Sequence, residues 1–134
     1  MIAVNDYSPN DLLETARELM SEPAARAGSI WPRAAAHLCR QALEATLDDF
    51  WAARLPEMAS TPRWSQLTCL PSYLNEAAVA EEVSYTWWAL SRACHHRTYE
   101  LAPTAEELNA WIETVHSLSA AVVKSLEPSR LPPN

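Results

Sequence analysis

Residues 31–55, WPRAAAHLCRQALEATLDDFWAARL, decide the fold. The segment opens on Trp31-Pro32, where a helix has no use for the amide hydrogen that proline lacks. No further proline or glycine interrupts it before Pro56. At 100° per residue, Ala35, Leu38, Cys39, Ala42, Leu43, Thr46 and Phe50 form one stripe, with His37, Arg40, Glu44 and Asp48 on the other side. A helix of about six turns with one apolar stripe has to bury it against other elements. Those elements are helices too. The chain has a single glycine, Gly28, whereas hairpins, bulges and phosphate-cradling loops need several. Sandwich, barrel, Rossmann and P-loop folds are thereby excluded, and an all-α fold remains.

Outward from this segment, prolines and capping residues mark the other helices. Ser8-Pro9-Asn10-Asp11 starts a first helix that runs to about Ser21, with a capping hydroxyl, proline at the first position and an acid near the positive end of the dipole. Pro23 and Gly28 mark the loop before Trp31, and Pro56 and Pro62 bound a second loop. A shorter helix is expected over Arg63–Leu74, kinked or split at Pro71. A fourth spans Glu76–Arg97. Thr104-Ala105-Glu106-Glu107 forms a capping box for the last helix, which ends near Leu126 before Pro128. Its core stripe reads Leu108, Trp111, Ile112, Val115, Leu118, Val122 and Leu126. Short connections favour antiparallel neighbours, so the expected architecture is an up-and-down four-helix bundle with an additional N-terminal helix. At 134 residues the chain makes one domain, 1–127, followed by a disordered tail, 128–134.

The fourth helix carries a face that core packing does not explain. Val79, Val83, Trp87, Leu90 and Cys94 serve the core. Nearly opposite lie Glu81, Tyr85, Trp88, Arg92, His95 and His96. Large aromatics beside arginine have the composition of an interface centre. Arginine with histidine can hold phosphate and move protons near neutrality. Two plainer readings stand beside these: Tyr85 and Trp88 pack under the N-terminal helix, and His95, His96 and Arg97 complement the negative end of the helix dipole.

The net charge of −7 requires any polynucleotide to be held by a local basic patch. The cysteines Cys39, Cys69 and Cys94 are odd in number and read as reduced core thiols. With no signal peptide and no run of about 18 apolar residues, the chain reads as cytoplasmic, with no membrane association. No metal is expected. Cys94, His95 and His96 are adjacent and diverge, and no spaced CxxC or HxxxH pair occurs. His116 reads as a boundary histidine of the last helix.

The order of elements is familiar: the long RAAAHLCRQALEATLDDFW helix, the short RWSQLTCLPSYL helix, then WWALSRACHHRTYELAPTAEELNAWIETVHSLSAAV. An arginine–histidine segment closes the penultimate helix, and a "PT-x-EE" start opens the last. Over residues 31–126 this resembles the HEPN superfamily of small prokaryotic helical bundles. The resemblance implies a homodimer in which the penultimate helices meet and their arginines and histidines line a shared cleft. Active members use that cleft, without metal or cofactor, as a ribonuclease in toxin–antitoxin and anti-phage systems. Carried to this chain, Arg92, His96 and His95 take the catalytic places and Arg97 contacts nucleic acid, with Tyr85, Trp88 and Glu81 at the interface. An antitoxin or other defence-system component is the implied protein partner. The active pattern places four to six residues between arginine and histidine. Here two or three separate Arg92 from His95 and His96, and Tyr99 holds the longest family spacing. The competing class is a non-catalytic interaction module, an acidic helical adaptor that docks a partner through Tyr85 and Trp88. A ligand pocket lined by tryptophans is a third, which the pattern does not demand.

Overall fold

The structure, a computed structural model, describes residues 7–21, 31–95 and 101–127. Within them lie five α-helices: α1 (Pro9–Ser21), α2 (Trp31–Arg54), α3 (Arg63–Leu74), α4 (Ala77–Cys94) and α5 (Ala105–Leu126), with a short 3-10 turn at Pro56–Ser60. No strand occurs among the described residues. The all-helical expectation is met. The expected loop around Pro23 and Gly28, the end of the fourth helix at His96 and Arg97, and the tail 128–134 lie outside the described residues.

The helix starts follow local chemistry. At α1 the Ser8 hydroxyl accepts from the Asp11 amide at 3.1 Å, and the Asp11 carboxylate accepts from the Ser8 amide at 3.2 Å. Two donors that the helix itself leaves unpaired are thereby satisfied. Thr104 and Glu107 make the same reciprocal pair at α5, at 3.1 and 3.0 Å. Between α3 and α4 the chain turns through Asn75, whose φ of 63° lies in the left-handed region. Asparagine tolerates that region better than most residues, and here it does the work glycine does elsewhere.

Helix α2 is the centre of the molecule. It packs against α1 most extensively, then against α5, α4 and the 3-10 turn, while α4 joins α5 to α3. Its buried face is wider than one stripe: Ala36, Leu47 and Trp51 join Ala35, Cys39, Ala42, Leu43, Thr46 and Phe50. Leu38 packs at the core's edge. Trp51 meets Phe50 edge-on at 5.0 Å and Tyr73 of α3 at 5.4 Å. On α5 the predicted stripe is buried from Leu108 to Val122, but Leu126 reaches the surface at the helix end.

Two expectations are corrected. Helix α3 is not split at Pro71. That proline is exposed and leaves one carbonyl without its usual helical donor, while buried Leu67, Leu70 and Leu74 hold the helix on the core. Helix α4, expected to start at Glu76 and run on past His95, leaves helical geometry after Cys94, where His95 turns to extended backbone (φ −81°, ψ 121°). Arg33 of α2 reaches the carbonyls at this end, Nη1 donating to Ala93 at 3.0 Å and to His95 at 3.4 Å. A cation at a helix C-terminus satisfies orphan carbonyls and opposes the dipole.

Candidate functional site

The outer face of α4 is a line of exposed residues. Glu81, Tyr85, Trp88 and Arg92 recur at helical spacing, and His95 follows at the helix end; all five are exposed. Tyr85 is 74% and Trp88 57% exposed. They do not pack under the N-terminal helix, which lies on α2 and reaches α5. The inner face behaves as its spacing predicts, with Val83 and Leu90 buried and Val79, Trp87 and Cys94 packed at the core's edge. Trp87 supports Trp88 from below, the rings meeting edge-on at 4.9 Å. His96 and Arg97, predicted to share this site, lie outside the described residues.

Beneath the end of α4 runs a polar stripe of α2 that was expected to face solvent. Arg40 instead lies 5.9 Å from the Trp87 ring centre, in cation–π range. Its charge opposes the rise of the Cys94 thiol's pKa, and it donates through Nε to Glu44 at 2.9 Å. Glu44 accepts from Arg63 of α3 at 3.2 Å, and Arg63 also donates to Asp48 at 2.9 Å and to Gln66 at 2.7 Å. Buried Gln66 donates onward to the Met58 carbonyl at 2.8 Å, tying down the 3-10 turn. A chain of charges therefore runs along α2 from α4 to the start of α3. Among its basic members, Arg33 and Arg40 stand at the last turn of α4, with Arg92 in that turn.

The thiols nearby are not poised for reaction. Cys39 is buried, and its pKa is pushed up from an ordinary 9.0 to about 12, chiefly by burial and secondarily by the neighbouring Cys94. Burial also raises the Cys94 thiol, against the opposing pull of Arg40. A nucleophilic cysteine needs the reverse. Among the described residues no three histidine, cysteine or carboxylate side chains come together as a metal site. No described helix is long and apolar enough to cross a membrane.

Two open clefts of about 420 and 440 Å³ lie away from α4. The first is lined by Asn10, His116, Ser119 and Lys124, the second by Tyr7, Glu44, Asp48 and Asp49. Neither contains a tryptophan, so they give no form to the tryptophan-lined pocket. The Nε2 of His116 is buried with no hydrogen-bond partner among the described residues.

The sequence reading missed Arg33, Arg40 and Arg63 as organising residues. It also missed Trp64, a further exposed aromatic, at 58%. The available signal was the recurrence of Arg33, Arg40, Glu44 and Asp48 on one face of α2, opposite the predicted core stripe. Compared with family models, with curated proteins and with solved structures, the chain finds no significant match in any of the three.

Proposed function

We propose that the chain is a self-associating, HEPN-like helical bundle, in which the outer face of α4 meets a second copy and its arginine–histidine end acts on RNA. One observation carries the reading. Tyr85 and Trp88 stand exposed in line with Arg92 and His95 on a single helix face. A solvated face would carry lysine, glutamate and glutamine, whereas an exposed aromatic pair beside arginine is what association covers. Pairing two such faces places two copies of Arg92 and His95 around one groove. His96 and Arg97 follow them in sequence. Histidine then takes the 2′-hydroxyl proton or returns one to the leaving oxygen, and arginine stabilises charge on the phosphoryl oxygens. The setting proposed is that of a cytoplasmic prokaryotic effector or toxin, held in check by an antitoxin-like partner.

The test is incubation of the purified protein with a mixed RNA pool in EDTA, beside Arg92→Ala, His95→Ala and His96→Ala. Cleavage in chelator that falls at least about 100-fold in Arg92→Ala and in one histidine variant, with unchanged melting temperature, supports the reading. Cleavage that survives all three changes places the chemistry elsewhere. A self-associating protein that neither binds nor cleaves RNA favours the second reading, a docking module built on Tyr85 and Trp88, for which the exposure of Trp88 is the specific support.

A further inference from the structure

We infer that Arg33 is the positioning residue of the α4 site, the group that fixes where α4 stops and hence where His95 stands relative to Arg92. The inference rests on the RNA-directed reading for its functional meaning, while its structural half stands alone. Arg33 belongs to α2, yet its guanidinium bridges the carbonyls of Ala93 and His95 at 3.0 and 3.4 Å. Both bonds come from Nη1, whose two N–H groups are fixed in the guanidinium plane, whereas the donors of a lysine ammonium rotate freely. Between those carbonyls lies the residue pair at which helical backbone becomes extended. The His95 amide closes the helix on the Arg92 carbonyl at 3.2 Å.

Helix α4 has no glycine at this end to stop it, and the next proline is Pro103. Neither glycine nor proline therefore sets the stop; Arg92 in the last turn favours a helix end, and Arg33 reaches that end from another element. Arg33 is also anchored independently of His95. Its helix is the core helix, with Pro32, Ala35 and Ala36 buried beside it. Arg40, two turns further along α2, lies 5.9 Å from the Trp87 ring centre, so α2 meets α4 at a second height as well. With this grip the imidazole of His95 leaves the helix at a set angle. Without it the last turn frays, and the Arg92–His95 geometry becomes one of many.

The experiment compares wild type, Arg33→Gln and Arg33→Lys by residue-resolved amide hydrogen exchange. Each is then assayed on the RNA pool in EDTA, with and without His95→Ala. In Arg33→Gln the amides of Ala93, Cys94 and His95 should exchange about tenfold faster, the size expected for one lost charge-assisted hydrogen bond. The amides of residues 42–50 should be unchanged and Arg33→Lys should be intermediate. On RNA, Arg33→Gln should lower kcat more than it raises KM, and this loss should vanish in the His95→Ala background. Unchanged exchange at 93–95 overturns the inference whatever the RNA result. An equal loss with and without His95 overturns positioning through that residue. Wild type inert on RNA overturns the RNA-directed reading alone, and the exchange data still decide whether Arg33 sets the end of α4.

Discussion

The junction of α2 with α3 and the end of α4 are made of the same residue types and come to opposite states. At the junction, Trp51, Phe50 and Tyr73 pack edge to face, Arg54 lies 5.5 Å from the Tyr73 ring centre, and Arg63 is 18% exposed with Glu44, Asp48 and Gln66 around it. Every aromatic there has a protein neighbour, and Arg63 answers to two carboxylates. At the end of α4 the aromatics Tyr85 and Trp88 point to water, and Arg92 and His95 are exposed on a helix whose inner face is already complete. An arginine beside a tryptophan is therefore no indicator of function by itself. What separates a structural cluster from a binding one is whether the fold has already covered its rings.

The largest expected effect breaks the closed cluster. Trp51→Ala should cost about 3–5 kcal/mol in urea unfolding, as truncation of a fully buried indole between Phe50 and Tyr73 does. Trp51→Phe should cost much less than that, because the indole N–H has no hydrogen-bond partner among the described residues. Next comes Arg63→Ala, at about 1–2 kcal/mol. It strands Glu44 and loosens Gln66 beneath the 3-10 turn, and the partial exposure of Glu44 and Asp48 limits the penalty. Raised salt should narrow the gap between Arg63→Ala and wild type.

Cys39 sharpens the comparison through pH. Its proton is held more tightly in the folded chain, up to about 12, than at an ordinary 9.0. The folded state therefore binds more protons between those values. Stability is intact below pH 9 and falls progressively as pH rises from 9 towards 12. Cys39→Ala should flatten that alkaline decline. Near neutrality the thiol is uncharged in both states, and no slope from it is expected. Iodoacetamide at pH 7.5 should leave Cys39 unmodified until denaturant is added, which mass spectrometry of the labelled peptides would check. The smallest effect on the fold itself belongs to Trp88→Ala. At a dilution where the chain is monomeric, its unfolding free energy should lie within about 0.5 kcal/mol of wild type.

How much of this could be read from the chain depends on how far apart the interacting residues lie. The capping boxes at Ser8–Asp11 and Thr104–Glu107 are local chemistry and are found where the sequence places them. The core stripes of α2, α4 and α5 are periodic and equally legible, as is the unexplained face of α4. The extent of α4 was not legible, because what ends it comes from Arg33, sixty residues earlier. Arg63 is a cation at a helix N-terminus, locally unfavourable, which the carboxylates of α2 accommodate. Pro71 signalled a kink or a split by local rules, and the burial of Leu67, Leu70 and Leu74 keeps the helix from splitting. In each case a tertiary contact outweighs a local preference, and periodicity carries no information about it.

The central claim, that the outer face of α4 is open because a second copy covers it, is tested most directly by the mass of the particle in solution. Light scattering across a dilution series should give twice the chain mass for wild type. For Trp88→Ala it should give the single-chain mass at the same concentrations, a loss on the order of 2 kcal/mol of association with an unchanged monomer melt. A wild-type monomer at every concentration, or a Trp88→Ala dimer as tight as wild type, would contradict it.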